Sequence, residues 1–163
     1  MIWTGLLMMS GTGALADQLP PPAGEPILRV DGLVAHANAD GALLFDLAML
    51  DALPQETFTT TTIWSDGALT FSGPPLAAVL QAAGASGTRL RARALNDYSV
   101  EIPVAEIGPR FPILATRIDG QTFGVRDKGP IWIIYPYDSG AIWRTEVNFG
   151  RSVWQLAALT LEE

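Results

Sequence analysis

The amino-acid sequence predicts an α+β fold that is rich in short strands and has one clear helix. Three observations lead to this class. Several β-branched or alternating runs are separated by turn dipeptides such as Asp66-Gly67 and Asp119-Gly120. The 16 glycines and 12 prolines are scattered along the chain, which favours tight turns over long helices. With 163 residues, the chain suits one domain around a single core.

The first half is predicted to hold four strands and a short helix. Asp46 can cap the helix LAMLDAL, which Pro54 ends. The strands are residues 26–35, interrupted at Asp31-Gly32, then residues 42–45, 56–64 and 68–71.

The clearest helix is GPPLAAVLQAAGA, residues 73–85. Its opening prolines, Pro74 and Pro75, suit a first helical turn, where a missing N–H costs little. Gly84 supplies the C-terminal stop. One face carries apolar residues at helical spacing, namely Leu76, Val79 and Leu80.

An alternating strand, residues 88–94, runs into a polar turn at Asn96-Asp97, and Tyr98 begins the partner strand of a hairpin. Leucine and alanine face one side of the first strand, and three arginines, Arg89, Arg91 and Arg93, face the other. These arginines are either an anion-binding stripe or the solvated face of a half-buried strand. Asn96 and Asp97 either only make the turn or also orient a ligand beside Tyr98.

In the second half, residues 113–118 and 121–125 are predicted to pair across Asp119-Gly120. The apolar run IWIIY, residues 131–135, should be a central strand that Pro136 ends. Residues 137–151 are predicted to be an irregular loop. Residues 152–162 should form a turn or short helix followed by a last strand.

The N-terminus is predicted to be a signal peptide, residues 1–16, followed by a linker, residues 17–25, and one domain, residues 26–163. The first 16 residues are uncharged and end in Ala14-Leu15-Ala16, which fits an A-x-A cleavage site. A buried N-terminal helix is the alternative. The segment is short for a membrane span, so we expect a periplasmic or secreted protein without a stable span after cleavage.

Composition excludes several classes of function. The chain has no cysteine and one histidine, His36, so thiolate chemistry and an ordinary zinc site are excluded, and we predict no metal ligands. The net charge of −7 argues against nucleic-acid binding. Nine of the ten basic residues nevertheless lie from Arg89 onward, which leaves room for a local anion site. No P-loop, G-x-G-x-x-G, G-x-S-x-G or H-E-x-x-H motif is present.

The candidate ligand-binding residues lie after residue 95. Arg126 and Lys128 flank a Gly-Pro turn, where exposed backbone and positive charge often hold anions. Two aromatic residues of the predicted loop, Tyr137 and Trp143, would either cover a ligand or form a partner surface. The full candidate set is Asn96, Asp97, Tyr98, Arg126, Lys128, Tyr137 and Trp143.

From Phe71 onward, the order of short motifs resembles the molybdopterin-binding domain of the sulfite-oxidase family. The motifs are Gly73-Pro74-Pro75-Leu76, then YSVEIP (98–103), LATRIDGQTF (114–123), KGPIW (128–132) and Ser152-Val153-Trp154. The resemblance covers roughly 90 residues. It implies the family's α+β fold and, in its catalytic members, a molybdenum–pterin cofactor held by one cysteine thiolate. It also implies that Tyr98 lines the cleft.

Three departures from the family pattern bear on chemistry. The segment that should carry the cysteine, residues 58–67, reads FTTTTIWSDG, and threonine hydroxyls do not replace a soft thiolate. Lys128 stands where the family has a histidine, and Val153 where it has a lysine. We therefore predict a non-catalytic, sensory or accessory protein whose cleft binds a small anionic ligand or a periplasmic partner, with no cofactor. The alternative is a molybdopterin-dependent oxidoreductase that binds its cofactor without a cysteine.

Overall fold

The computed structural model describes residues 19–163, so the predicted signal peptide lies outside the described residues. Within this range the chain is built mainly from short strands. In chain order they are β1 (Leu28–Gly32), β2 (Leu43–Phe45), β3 (Glu56–Thr61), β4 (Ala68–Gly73), β5 (Arg89–Ala94), β6 (Ser99–Pro103), β7 (Ile113–Ala115), β8 (Arg117–Ile118), β9 (Gln121–Thr122), β10 (Trp132–Ile134) and β11 (Leu156–Glu162).

The helices are short. They are α1 (Leu47–Asp51), α2 (Leu76–Ala82) and α3 (Glu146–Arg151), with 3₁₀ turns at Val104–Glu106, Val125–Asp127 and Tyr137–Ser139. This content confirms the predicted α+β class. None of the helices formed by residues 19–163 has the length and apolar character needed to cross a bilayer.

The strands form three sheets. The largest has five strands in the order β2-β1-β11-β5-β6, with β1 and β11 parallel and the other pairs antiparallel. A four-stranded antiparallel sheet has the order β3-β4-β8-β9, and β10 pairs with β7. β11 therefore lies at the centre of the large sheet, where it joins the first and second halves of the chain.

Strand alternation places the core as the sequence predicts. In β5, Leu90 and Ala92 are fully buried, whereas Arg89 and Arg93 are exposed. Burying one such leucine contributes roughly 1.5–3 kcal/mol. The run IWIIY is also buried, and its Ile133 has no exposed surface. Its strand β10 pairs within the described residues with β7 alone, so the prediction of a central strand is wrong. Both strands therefore present one continuous apolar surface to the interior.

Local signals lie at the ends of the first two helices, although α2 begins at Leu76, after the two prolines predicted for its first turn. The Asp46 carboxylate accepts a hydrogen bond from the Met49 N–H at 2.8 Å and so caps α1. Pro75 caps α2 with φ of −54°, and Gly84 follows the helix in the left-handed region with φ of +59°. Asp119 and Gly120 both have positive φ and form the predicted turn between β8 and β9.

Two predicted segments are corrected by the structure. Residues 113–118 are not one strand, because the chain changes its pairing partner at the buried Thr116. Before this residue β7 pairs with β10, and after it β8 pairs with β4. The Thr116 N–H donates to the Ser72 carbonyl. Residues 137–151 are not irregular, because they contain a 3₁₀ turn and α3. The Thr145 hydroxyl caps α3 by accepting a hydrogen bond from the Asn148 N–H at 3.1 Å.

The described part of the predicted linker, residues 19–25, has no helix or strand and lies against the domain. The Leu19 N–H donates to the Ala37 carbonyl at 3.1 Å, and the Gly24 N–H donates to the Asp46 carboxylate at 2.7 Å. These contacts hold the segment to the surface beside α1. The domain boundary itself stays a prediction.

Candidate functional site

A cavity of about 330 Å³ opens beside the turn between β5 and β6. The turn forms one wall, the segment after β3 forms the second, and the chain after α3 forms the third. The lining residues are Trp64, Ala94, Asn96, Tyr98, Phe149, Gly150, Ser152, Val153 and Trp154. The cavity therefore brings together three parts of the chain that are distant in sequence.

Trp64 lines this cavity and is positioned by a tight turn. β3 ends at Thr61, three residues before the predicted end, because residues 62–65 fold onto themselves. The Thr62 hydroxyl accepts the Trp64 N–H at 3.0 Å and shares a hydrogen bond of 2.7 Å with the Ser65 hydroxyl. This turn fixes where the indole of Trp64 leaves the backbone.

The indole of Trp64 is the centre of an aromatic cluster. Its ring centroid lies within 6.4 Å of four other rings, those of Trp132, Tyr137, Phe149 and Trp154. The contacts with Phe149 and Trp154 are edge-on, with interplanar angles of 89° and 77°. Edge-to-face packing is a favoured geometry for aromatic pairs and adds rigidity to the cavity wall.

Two sequence-predicted residues, Asn96 and Tyr98, line the cavity. The Asn96 side-chain carbonyl accepts the Tyr98 N–H at 3.2 Å, so Asn96 both makes the turn and faces the site. The Tyr98 hydroxyl donates to the Gly150 carbonyl at 3.0 Å and joins the hairpin to the end of α3. Half of the Tyr98 side chain is exposed at the cavity mouth.

Three other predicted residues lie outside the lining. Asp97 has φ of +67° and pairs with Arg93 at 3.1 Å, so its part in the structure is that of a turn residue. Arg126 is exposed on the 3₁₀ turn Val125–Asp127. Lys128 follows it, and its carbonyl accepts the Gln155 N–H at 2.9 Å. Of the predicted residues, Asn96 and Tyr98 thus line this cavity, and Asp97, Arg126 and Lys128 do not.

Tyr137 and Trp143 do not cover the cavity, which corrects their predicted placement in an open loop. Tyr137 is 1% exposed, and its hydroxyl is hydrogen-bonded to Ser152 in the core. Burial raises the pKa of Tyr137 to about 12. Trp143 is half-buried and packs edge-on against Phe111 at 5.8 Å.

The arginines of β5 form ion pairs on the exposed face. Arg91 lies 3.1 Å from both Glu162 and Glu101, and the hydrogen bond with Glu162 raises its pKa. Arg93 pairs with Asp97. Cross-strand pairing of this kind is what a solvated sheet face shows, and it favours that interpretation over an anion-binding stripe.

The segment that should carry the family's cysteine does not fit a side-chain ligand to molybdenum. The hydroxyl of Thr60 accepts the Asp138 N–H at 3.1 Å, and the hydroxyl of Thr61 donates to the Asp138 carboxylate at 2.8 Å. The hydroxyl of Thr62 is used within its own turn. No cluster of three or more histidine, aspartate or glutamate side chains suited to a metal occurs in residues 19–163. The donor chemistry needed for a thiolate-anchored metal is therefore missing from this segment.

Comparison with known proteins gives a fold relationship. No protein-family model matches the sequence, and no curated protein matches it. Among solved structures, the chain is similar to the sulfane dehydrogenase SoxCD from Paracoccus pantotrophus, with a TM-score of 0.62 and 19% sequence identity. The match covers 83% of this chain and 37% of that chain, so the chain spans little more than a third of that protein's length. At this identity the likeness shows the fold.

Sequence reasoning missed most of the cavity. Trp64 lies in residues 58–67, the segment in which the family resemblance places the metal-binding cysteine. This position is the one feature of the sequence that indicates a place for Trp64 in the site. Trp154, which the sequence shows only as part of the Ser152-Val153-Trp154 motif, is half-buried and lines the cavity. The isolated His36 is structural, because its Nδ1 lies 2.8 Å from the Ala82 carbonyl oxygen.

Proposed function

We propose that this protein is an exported, non-catalytic binding module built on an oxidoreductase-like fold. The fold is similar to that of a sulfane dehydrogenase, and the order of motifs resembles the sulfite-oxidase family. A binding or sensory role needs the cleft but not the redox centre, since function depends on the site and not on the fold.

The observation that carries this proposal is the position of Trp64. The family resemblance places a thiolate ligand on residues 58–67, and this chain places an indole there that packs against four rings. The neighbouring hydroxyls are already hydrogen-bonded within the chain. An aromatic wall therefore stands where the resemblance implies a metal ligand, which supports a binding role without a redox centre.

The alternative is a molybdopterin-dependent oxidoreductase that holds its cofactor through pterin contacts alone. Metal and pterin analysis separates the two functions. The protein would be expressed with its N-terminal segment in a host that makes the cofactor and purified from the periplasm. A molybdoenzyme of the same host, purified in parallel, controls for cofactor supply.

We expect molybdenum far below one atom per chain and no released pterin. Molybdenum near one atom per chain, with a matching amount of pterin, would overturn the non-catalytic function and establish the alternative. Recovery of the protein only in the cytoplasmic fraction, with residues 1–16 still attached, would refute export.

A further inference from the structure

The ligand class follows from the chemistry of the cavity wall, on the premise that the cavity is the binding site of the proposed module. Its volume of about 330 Å³ lies near the lower end of the range for small-molecule sites. A cavity of this size holds one ring with a short substituent. Its shape is set by the rings of Trp64, Phe149 and Trp154, which favour a flat, apolar body.

The wall carries no charge. None of the nine lining residues is basic or acidic. The cations near the site already have partners: Arg93 pairs with Asp97, Arg151 pairs with Glu106, and the Lys128 ammonium lies 5.7 Å from the centroid of an indole ring. Moving a carboxylate or phosphate from water into this wall would leave its charge unpaired, which costs free energy. The cavity therefore disfavours the anionic ligand that the sequence suggested.

Several main-chain carbonyls of the lining residues already accept hydrogen bonds. The Gly150 carbonyl accepts the Tyr98 hydroxyl, and the Ser152 carbonyl accepts the Trp132 indole N–H at 3.1 Å. The carbonyls of Ala94, Phe149 and Val153 accept backbone N–H groups. A ligand that only donates hydrogen bonds would have to share these carbonyls with their present donors.

Three side-chain donors of the lining residues have no hydrogen-bond partner in the described part of the chain, whereas the hydroxyls of Tyr98 and Ser152 already donate. Within residues 19–163, the indole N–H groups of Trp64 and Trp154 and the side-chain NH₂ of Asn96 donate to no other group. Each of these groups can donate to a carbonyl oxygen or a ring nitrogen. The wall is thus complementary to a ligand that brings acceptors.

We infer that this cavity binds an uncharged, planar ring that carries hydrogen-bond acceptors, such as a neutral aromatic or heteroaromatic amide. The rings of Trp64 and Trp154 contact its faces and edges, and their N–H groups, with the amide of Asn96, donate to its acceptors. This class differs from the molybdenum–pterin cofactor that the family resemblance implies.

The test uses two matched pairs of probes, nicotinamide with nicotinate and benzamide with benzoate. Each pair has one ring and differs in the charge of its substituent. Binding is measured by titration calorimetry and by ¹H–¹⁵N spectra of the tryptophan indoles. We expect both amides to bind and both acids to bind at least about tenfold more weakly, because the charge is unpaired in the cavity.

The indole resonances report where binding occurs. With nicotinamide, the N–H signals of Trp64 and Trp154 should shift, and those of Trp132 and Trp143 should stay in place. Trp154→Phe keeps a ring and removes one donor, so the affinity for nicotinamide should fall by about fivefold, the worth of one hydrogen bond. Trp143→Phe, a change of the same kind outside the lining, should leave the affinity unchanged.

Each opposite result has a defined meaning. Stronger binding of the acids than of the amides would overturn this ligand class and restore the anionic one, with the binding function intact. Absence of binding by all four probes would also overturn it. Neither result bears on the molybdenum content, so failure of the ligand class and failure of the non-catalytic function are distinguished.

Discussion

The buried hydrogen bond between Tyr137 and Ser152 permits a quantitative test of the core beside the cavity. Ser152 has a single hydroxyl hydrogen, which it donates to the Asn148 carbonyl at 2.6 Å. The Tyr137 hydroxyl must therefore be the donor to the Ser152 oxygen. The two hydroxyls form a directed chain that ends on the backbone of α3.

Because the two hydrogen bonds run in one direction, the two single substitutions should lower the unfolding free energy by different amounts. Tyr137→Phe removes the first donor and leaves the bond from Ser152 to Asn148 in place, so it should cost about 1 kcal/mol of unfolding free energy. Ser152→Ala leaves the Tyr137 hydroxyl, which is 1% exposed, and the Asn148 carbonyl without their partner. Leaving buried groups unsatisfied should cost about 2–3 kcal/mol.

The double variant should be less destabilised than the sum of the single variants, by about 1 kcal/mol, because the hydroxyl orphaned by Ser152→Ala is no longer present. Urea unfolding at pH 7, followed by circular dichroism, gives all four free energies with a common slope. Burial keeps the pKa of Tyr137 at about 12, so the hydroxyl stays protonated throughout. Equal single effects that add without coupling would refute this hydrogen-bond direction.

The other predictions concern an acidic side chain and a glycine. Hydrogen bonds from Thr61 lower the pKa of Asp138 from 3.8 to about 2, so the ionised carboxylate stabilises the fold above that range and the stabilisation is lost as the pH falls through it. Urea unfolding at a series of pH values measures this effect. In Asp138→Asn the unfolding free energy should fall less between pH 3.8 and about 2 than in the unmodified protein, and an equal fall in both would contradict this. A Cβ at Gly73 would lie 1.9 Å from the Leu114 carbonyl oxygen, so Gly73→Ala should cost about 3 kcal/mol in thermal unfolding, whereas Gly124→Ala, with open space, should cost far less.

Local signals explain which elements the sequence predicts. Asp46 before α1 and Pro75 before α2 act within one helical turn, so the residues themselves determine the helix start. The alternation in β5 likewise needs no knowledge of its neighbours. These elements are predictable because their energetics are set by nearby residues.

Elements that depend on distant partners are missed. α3 has the sequence EVNFGR, whose valine and glycine favour helix weakly, and its local signals are the capping hydroxyl of Thr145 and the charges of Glu146 and Arg151 at its ends. The break at Thr116 depends on Ser72, which lies 44 residues earlier in the chain. Neither the helix α3 nor the strand break at Thr116 can be deduced from the spacing of residues in the sequence.

The cavity likewise combines residues that local signals predict with residues whose contacts are distant in sequence. Asn96 and Tyr98 were found because they flank a recognisable hairpin turn. Trp64 was missed because the rings that surround it come from residues 132–154. A threonine-rich strand end gives no indication of those contacts.

The central place of β11 has a consequence for biosynthesis. β1 and β5 both pair with this strand, yet its residues 156–162 leave the ribosome after both of them. Until then, a nascent chain carries two unpaired strand edges that neighbouring chains can capture. Completion of the large sheet is thus delayed until translation has passed β11.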